Sequence, residues 1–592
     1  MHHSEMLRIQ GFFMTQLWLR CLFIFLLGFP VSAIAQEVQV IEHQLDNGLT
    51  VLMVPRSGDP NVAAGWVAKV GSVNERPGIT GVAHLFEHMM FKGTHALGTR
   101  DIDQDLEIIE QLDALRVEIQ EEEIALDRRY QLGELDEPND PAARTTRHQE
   151  LLEEFGTLLA RQSELLIKED FSRVYAGEGG SGMNAFTSYD VTVYFINVPA
   201  NKLELWFWME SDRLSNPVFR EFYSERSVVH EERRLRTDST PIGKFQEQFE
   251  AMFWQSSPYG WPVVGWPSDL EGMTREEALT FFDTYYASNN LAAVLVGDFD
   301  PDEAIELAER YFGRLTRGAR PPLEPRTREM PQLAEKRMVA YAETNPQVVV
   351  RYHSVRDGHV DEPPLVVLGQ LLNGRTGRLY KSLVEDQGIA TAAFGGQSGF
   401  KYEGMFELRG TAKQGSMPEE VEAGIYAELE RLKVELVSER ELQKVKNQNA
   451  ASTFRDLRSN FGLMIQLLLR ESNRGWEHIN TDPAVYEAVT PEDILRVANT
   501  YFTPETRAVA VYYRKDGDQE TDDPLLAGLS DEEQQQVRQM RTMIAQMDVD
   551  ALNQFLARAE QMITQVPLEA RDAAEAMVAV IRQRLDEIEG GQ

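Results

Sequence analysis

The sequence almost lacks cysteine: among its 592 residues, Cys21 carries the only thiol. This residue lies within an N-terminal segment that we expect to be removed, so the mature chain would contain no cysteine. Thiol catalysis, disulfide bonds and zinc sites built from cysteine are therefore not expected.

Positive charge is also scarce. The chain has 59 Lys and Arg residues against 95 Asp and Glu residues, and its formal net charge is −36. Such an acidic surface argues against nucleic-acid or anionic-membrane partners. It is compatible with a preference for basic or neutral peptides, but a simple gain in solubility explains it more readily.

The sequence also lacks a hydrophobic run long enough for a comfortable transmembrane helix. Its main apolar run, CLFIFLLGFPVSAIA, follows Arg20 and ends in the small-residue pattern Ala33-Ile34-Ala35. This layout is typical of a secretory signal peptide. We expect residues 1–35 to be cleaved after Ala35 and the mature protein to be exported, with the periplasm as its compartment and no stable membrane span. A retained membrane anchor is the alternative.

An internal repeat divides the remaining chain into two similar halves. Residues 274–296, TREEALTFFDTYYASNNLAAVLV, align without gaps with residues 490–512, which lie 216 positions later. Each copy predicts an amphipathic helix, a turn and an apolar strand. Residues 84–93 align with residues 365–374 at a spacing of 281, which is 65 positions longer. The first half must therefore carry an insertion of that size.

A helical hairpin at residues 98–168 is the predicted insertion. Ile102, Leu106 and Ile109 begin an apolar repeat at helical spacing, and GELDEPNDP interrupts this repeat before it resumes. Contact with a partner and simple solvent exposure remain open as its purpose.

Strands followed by helices, twice over, predict an α+β fold with a sandwich in each half. Asn47-Gly48 predicts a hairpin turn near the start, and residues 184–199, NAFTSYDVTVYFINVP, alternate like a single strand. The predicted organisation is a first half at 36–315, a Pro- and Arg-rich linker at 316–336, a second half at 337–515 and an acidic helical tail at 516–592.

Residues 81–94, GVAHLFEHMMFKGT, predict a buried helix, but two histidines and a glutamate interrupt its apolar residues. On a helix, His84 and His88 lie one turn apart on the same face and can bind a single ion. Two imidazoles completed by a carboxylate suit Zn²⁺ and leave one position for water. Glu87 is placed to act as general base on zinc-bound water that attacks a carbonyl. The alternative is a core with buried histidines, but burying two imidazoles and a carboxylate together without a metal is costly.

The order His-x-x-Glu-His, followed by MMFKGT, resembles the inverzincins, the pitrilysin and insulinase-type zinc peptidases. The segments GMNAFTSYDVTVY, SERSVVHEERR, SPYGWPVVGW and SNNLAAVLVGDFD are similar to further motifs of that family, and together the motifs span about 40–515. The resemblance implies one zinc ion per chain. It also implies two homologous α/β-sandwich domains that form half of a clamshell.

The same resemblance implies further site residues. In the family, the last metal ligand is a glutamate seven residues after the Glu of a Glu-Arg pair, and here that pair begins at Glu225. This rule selects Glu232, with Glu231 as the competing choice, and Glu225 itself would support the site from behind a ligand. Asn184 and Ala185 match the edge strand that receives substrate as an added strand.

The second half departs from the family pattern. There, LVVLGQLLNG replaces the metal-binding segment with apolar residues. The family commonly places an arginine and, seven residues later, a tyrosine in this half to hold substrate, but the matching residues here are Val384 and Thr391. Arg375, Arg378 and Tyr380 lie nearby at the wrong spacing. The resemblance therefore implies the zinc-bearing member of a homodimer, or of a heterodimer with a non-zinc family member.

Three functions follow as hypotheses. The first is a zinc endopeptidase of broad specificity that cuts peptides or unfolded protein segments. The second is a peptide-binding or assembly subunit with little or no turnover alone, which needs a partner to supply the Arg/Tyr pair. The third is a maturation peptidase for one precursor, which the sequence does not distinguish from the first.

Overall fold

The computed structural model describes residues 37–515 and, in the C-terminal tail, residues 529, 531–544, 547, 549–563 and 571–590. The predicted signal peptide and its cleavage point after Ala35 lie outside the described residues. Among the residues that are described, no helix is both long and apolar enough to cross a membrane.

The described chain alternates strands and helices. The strands are β1 (Ile41–Gln44), β2 (Thr50–Pro55), β3 (Asn61–Ala68), β4 (Ser181–Thr187), β5 (Thr192–Pro199), β6 (Leu291–Gly297), β7 (Lys336–Ala342), β8 (Gln347–Ser354), β9 (Ala390–Gly399), β10 (Gly404–Ala412) and β11 (Arg507–Arg514). The helices up to the linker are α1 (Val82–Met89), α2 (Ile102–Gln131), α3 (Thr146–Leu165), α4 (Asp170–Gly177), α5 (Leu203–Ser215), α6 (Phe222–Arg233), α7 (Gly243–Phe253), α8 (Pro267–Gly272), α9 (Arg275–Tyr285) and α10 (Pro301–Tyr311). Those after it are α11 (Glu362–Leu372), α12 (Pro418–Val434), α13 (Glu439–Arg458), α14 (Asn460–Asn473), α15 (His478–Glu487), α16 (Pro491–Tyr501), α17 (Asp531–Ile544), α18 (Val549–Ile563) and α19 (Arg571–Gly590).

Each half is built on one sheet. The first sheet has the strand order β1-β2-β6-β3-β5-β4, in which β2 and β6 are parallel and the other neighbours are antiparallel. The second sheet has the order β7-β11-β8-β10-β9. Without β1, the two orders correspond strand for strand. The α+β prediction with two homologous halves is therefore confirmed.

The repeated helix and strand form as the sequence predicts. Thr274 and Glu277 make a reciprocal capping box at the start of α9, and Thr490 and Asp493 make the same box at the start of α16. Such boxes satisfy backbone N–H groups that have no partner within the helix. The strands that follow, β6 and β11, each lie inside a sheet, since both have strand neighbours on two sides.

The two halves share apolar packing. Helix α14 of the second half lies on a face of the first sheet, where Leu463, Met464 and Leu467 join the buried cluster of that face. The approach is close at Gly65 of β3, because an added Cβ would lie 3.1 Å from Met464 and 2.9 Å from the Tyr194 carbonyl. Helix α14 of the second half is thus part of the core of the first half.

The predicted insertion is a hairpin of the helices α2 and α3. Its base closes where Thr99 pairs with Leu166, and the side chains of Asp101 and Thr145 cap the two helices. The buried face of α2 is part of the core of the first half, through Ile108, Leu112, Leu115 and Ile119. The base of the hairpin is therefore anchored by apolar packing.

Two local predictions need correction. Residues 184–199 form a hairpin rather than one strand, because β4 ends at Thr187 and β5 begins at Thr192. The Ser188 hydroxyl accepts from the Asp190 and Val191 N–H groups and so stabilises the turn. Within the segment 81–94, only Val82–Met89 is helical.

The described residues of the C-terminal tail, together with Tyr341–Thr344, form a second compact unit with its own apolar core. Within it, α17, α18 and α19 contribute Val537, Leu552, Val580 and Ile581 to one buried cluster. Apart from Leu529 and Met547, the described residues of the tail are helical, as the fold prediction requires.

Candidate metal centre

Helix α1 begins at a residue that must be glycine. Gly81 has φ = +89°, and an added Cβ would lie 2.5 Å from the Val264 carbonyl. The buried Glu75 carboxylate accepts hydrogen bonds from the N–H groups of Gly81 and Ala83, each at 2.9 Å. These contacts fix the N-terminus of α1, and burial raises the pKa of Glu75 well above its ordinary value.

Helix α6 brings Glu232 to the two histidines of α1. The Nε2 atom of His88 lies 3.4 Å from Oε2 of Glu232, and Nε2 of His84 lies 3.8 Å from Oε1. One donor atom from each of the three residues lies within 4.8 Å of the other two. The neighbouring Glu231 is more than half exposed and pairs with Arg234 instead.

The three donors fit a zinc ion. In a tetrahedral site with bonds of about 2.0–2.1 Å, neighbouring ligand atoms lie about 3.4 Å apart. The observed separations of 3.4 and 3.8 Å are close to this value. Two imidazole nitrogens and one carboxylate oxygen are also a donor set that Zn²⁺ favours, with a fourth position left open.

The electrostatic surroundings of the two histidines differ. Burial, with the charges of His88 and Arg236, lowers the pKa of His84 to about 4, so this ring is neutral at physiological pH and able to bind a metal. Burial also disfavours the charged form of His88, but the hydrogen bond and charge of Glu225 outweigh it and raise the pKa of His88.

Glu87 lies beside the three donors and not among them. Its Oε2 accepts a hydrogen bond of 2.7 Å from the hydroxyl of Thr187, the last residue of β4. Burial raises the pKa of Glu87 against the opposing effect of this hydrogen bond. A carboxylate with a raised pKa beside an open metal position suits general-base chemistry.

Glu225 lies behind His88, on the side away from Glu232. Its Oε2 is 3.4 Å from Nδ1 of His88, and its Oε1 is 2.5 Å from Nζ of Lys92. Hydrogen bonds to these two groups outweigh burial and lower the pKa of Glu225. The carboxylate is therefore charged and faces the ring nitrogen that a metal bound at Nε2 leaves free.

Three contacts at this centre were missed by sequence reasoning: those of Thr187, Lys92 and Arg236. Arg236 lies in a π-helical turn that follows α6, and its Nη1 is 2.6 Å from Oε1 of Glu232. Thr187 and Lys92 both stand inside motifs that the sequence presents, NAFT and MMFKGT. The motifs identify the segments, but no local signal tells which side chain each residue contacts.

Strand β4 carries the two residues expected to bind substrate. It is the last strand of its sheet, and no described strand pairs with its outer side. Asn184 is exposed, while Ala185 is buried toward the core that includes α1. Because β4 ends at Thr187, its free edge runs toward Glu87.

The second half has no comparable group of donors among its described residues. Helix α11, which corresponds to α1, is almost entirely apolar and buried. Val384 packs against the core, and the exposed Thr391 hydroxyl donates only to the Thr411 carbonyl. Arg378 is held by two hydrogen bonds of 2.9 Å to Glu441. Val384 therefore stands at the position where the resemblance implies an arginine.

Comparison with known proteins gives matches to one family. The family described as "Insulinase (Peptidase family M16)" matches residues 50–113, which include α1. The one described as "Peptidase M16 inactive domain" matches residues 272–449, which include α11.

Several relatives are similar along most of the chain. The zinc protease PqqE of Helicobacter pylori is 26% identical over 480 residues, which cover 79% of this chain and 91% of the relative. The uncharacterized zinc protease YmxG of Bacillus subtilis is 22% identical over 465 residues, which cover 78% and 95%.

Solved structures share the fold. A protease from Helicobacter pylori matches with a TM-score of 0.65 and 23% identity, over 80% of this chain and 99% of that one. The first half of the periplasmic protease PqqL from Escherichia coli matches with a TM-score of 0.57 and 17% identity, over 81% and 93%. Against the whole of PqqL, the match covers 48% of that chain.

Proposed function

Because this chain belongs to the pitrilysin and insulinase type of peptidases, family M16, we propose that it is a zinc-dependent endopeptidase. Its substrates would be peptides or unfolded protein segments, bound as an added strand along β4. The observation that supports this best is the grouping of His84, His88 and Glu232 with Glu87 beside them. We propose that the protein acts after export, in the periplasm, without residues 1–35.

His84, His88 and Glu232 would hold one Zn²⁺ per chain. A bound zinc ion would supply Lewis-acid polarisation of the scissile carbonyl and would make water more acidic. Neutral His84 is ready to bind the ion, and Glu225 directs the free Nδ1 of His88 away from it.

Glu87 would accept the proton of the water that attacks the peptide carbonyl, and would then deliver a proton to the leaving amine. The hydrogen bond from Thr187 keeps one carboxylate oxygen fixed, so the other can face the water. Since Thr187 ends β4, the strand that would hold the substrate also positions the base. This connection favours cleavage of extended peptides.

The free edge of β4 would bind substrate mainly through backbone hydrogen bonds. Such bonds do not depend on side chains, so many sequences would be accepted. Asn184 is exposed on this strand, whereas Ala185 is buried in the core that includes α1.

Two observations favour a second function, a peptide-binding or assembly subunit with little turnover alone. Val384 and Thr391 supply neither guanidinium nor phenol, and the described chain corresponds to half of a two-half protein such as PqqL. We propose that a second copy, or a non-zinc family member, completes the chamber.

Hydrolysis of a mixed peptide library by the zinc-loaded full chain tests the proposal, with Glu87→Gln alongside. We expect cleavage by the wild type only, with one zinc ion in both proteins, because the amide of the variant cannot accept the proton. Glu232→Gln should lose zinc, whereas the matched Glu231→Gln should retain it. Cleavage by Glu87→Gln would refute the assignment of the base. Absence of hydrolysis by the zinc-loaded wild type would favour the function as a binding subunit.

A further inference from the structure

The loop after α1 places Lys92 against the outer side of the metal centre. Its Nζ lies 2.5 Å from Oε1 of Glu225 and 3.6 Å from Oε2 of Glu221. The other oxygen of Glu225 lies 3.4 Å from Nδ1 of His88. Lys92, Glu225 and His88 thus form a continuous chain of polar contacts that ends at the donor group.

A buried arginine fixes the backbone of this loop. Arg220 donates to the carbonyls of Lys92, Thr94 and Leu97 at 2.7–2.8 Å, and its Nε donates to the buried Asp105 at 2.8 Å. Arg220 is only 1% exposed. Because three carbonyls of one short loop accept hydrogen bonds from this guanidinium, the backbone of Lys92 is held in place.

The surroundings of Arg220 are shaped for this arrangement. An added Cβ at Gly93 or at Gly98 would lie 2.7 Å from its Nη1, so the guanidinium occupies space that only glycine leaves free. Phe219 and Glu221, on either side of Arg220, have φ values of 50° and 60°. Left-handed backbone at non-glycine residues is costly and persists where the surrounding structure requires it.

The two histidines differ in what holds their outer nitrogen. Nδ1 of His84 is buried without a hydrogen-bond partner among the described residues, whereas Nδ1 of His88 faces Glu225. A carboxylate behind a ligating histidine fixes the tautomer and the ring orientation. The orientation of the donor group therefore depends on Glu225, and a single ion pair to Lys92 holds the second oxygen of that carboxylate.

We propose that Lys92 is a positioning residue for the metal centre, which holds Glu225 against His88 from a loop fixed by Arg220. This inference rests on the proposed zinc site. Without Lys92, Glu225 would lose the ion pair that holds its second oxygen, and the His88 ring would lose its fixed orientation. Loss of this orientation should weaken metal binding. If Lys92 acted only through its charge, its removal should strengthen metal binding, because a nearby cation repels the metal ion.

The test measures the Zn²⁺ dissociation constant of the full chain by competition with a chromophoric chelator. Lys92→Met should bind Zn²⁺ about 10–100-fold more weakly than the wild type, the usual cost of losing an outer partner of a metal ligand. Lys202→Met is the matched control, because Lys202 also makes a 2.5 Å ion pair, with Glu178 on the surface. Lys92→Arg should restore most of the affinity.

A second readout separates positioning from mere stability. The absorption spectrum of bound Co²⁺ should change in Lys92→Met, because it reports the ligand geometry, and should remain unchanged in Lys202→Met. Unchanged Zn²⁺ affinity in Lys92→Met, even with a lower melting temperature of the metal-free protein, would overturn the proposal. If Lys92→Met does not fold, Lys92→Gln is judged by the same two readouts. Wild-type affinity in His88→Ala would instead overturn the zinc site itself.

Discussion

Arg236 shows how one residue can act on the metal centre without binding the metal. Its guanidinium pairs with Oε1 of Glu232, the oxygen that also faces His84. A zinc ion and this arginine would therefore compete for the same carboxylate. The pair is weak, since the Arg236 side chain is 77% exposed and water screens its charge.

We expect Arg236→Gln to bind Zn²⁺ more tightly than the wild type, by about five-fold at most, because an exposed ion pair is worth about 0.2–1 kcal/mol. Arg234→Gln is the matched control, since Arg234 lies on the same turn but pairs with Glu231. Chelator competition measures both variants. Weaker Zn²⁺ binding in Arg236→Gln would show that the arginine orients Glu232 instead of competing for it.

At the scale of the element, α1 depends on a residue outside it. Glu75 accepts two hydrogen bonds at the start of α1, and burial raises its pKa well above the ordinary value. A folded-state pKa above the unfolded value, about 4.3, means that the folded protein holds this proton more tightly. The stability that this proton contributes is present below that pH and is lost as the pH rises through the raised pKa.

Glu75→Gln removes this titration. We expect the free energy of unfolding of the variant to increase relative to that of the wild type as the pH rises from about 4.3 through the raised pKa of Glu75. Urea unfolding of the metal-free proteins at a series of pH values measures the difference. A difference that stays constant, or that moves toward the wild type with rising pH, would contradict the assignment.

Elements whose signals are local could be predicted from the sequence. Both copies of the repeat have such signals. Each begins with a capping box, at Thr274 or Thr490, and continues into an apolar strand. The turn between β4 and β5 was missed because apolar and polar residues alternate straight through it. The end of the strand is shown by the hydrogen bond from the Ser188 N–H to the Val191 carbonyl and by those that the Ser188 hydroxyl accepts.

The candidate site also combines residues that a local pattern predicts with contacts that no local pattern predicts. His84, Glu87 and His88 stand within five positions, so their spacing on a helix was visible. Thr187 meets Glu87 across 100 residues of sequence, and no local pattern predicts that contact. Glu232 was selected through family resemblance, and its place beside the histidines follows from the packing of α6 on α1.

At the scale of the whole molecule, the two halves have the same strand order but different chemistry. The first half carries the donors, whereas the second replaces them with the buried apolar helix α11. Helix α14 joins the core of the first sheet, so the second half is needed to complete the fold of the first. The second half therefore contributes packing to the first, although its described residues include no comparable group of donors.

The double variant Val384→Arg, Thr391→Tyr tests whether the second half can hold substrate. Val384 is partly buried and Thr391 is exposed on the edge strand β9, so both larger side chains can reach solvent. If two copies close one chamber, the installed pair of one copy would serve the metal centre of the other. We expect kcat/KM for an extended peptide to rise about ten-fold or more, as expected when a donor to the developing oxyanion is gained.

This gain should depend on protein concentration and disappear at dilutions that separate the copies. The zinc content of the double variant should equal that of the wild type. Each single variant serves as a control, because neither restores both donors. The same activity at every concentration would mean that one chain acts alone. No gain at any concentration would contradict a chamber made of two copies, and would favour a different, non-zinc partner as the source of the missing pair.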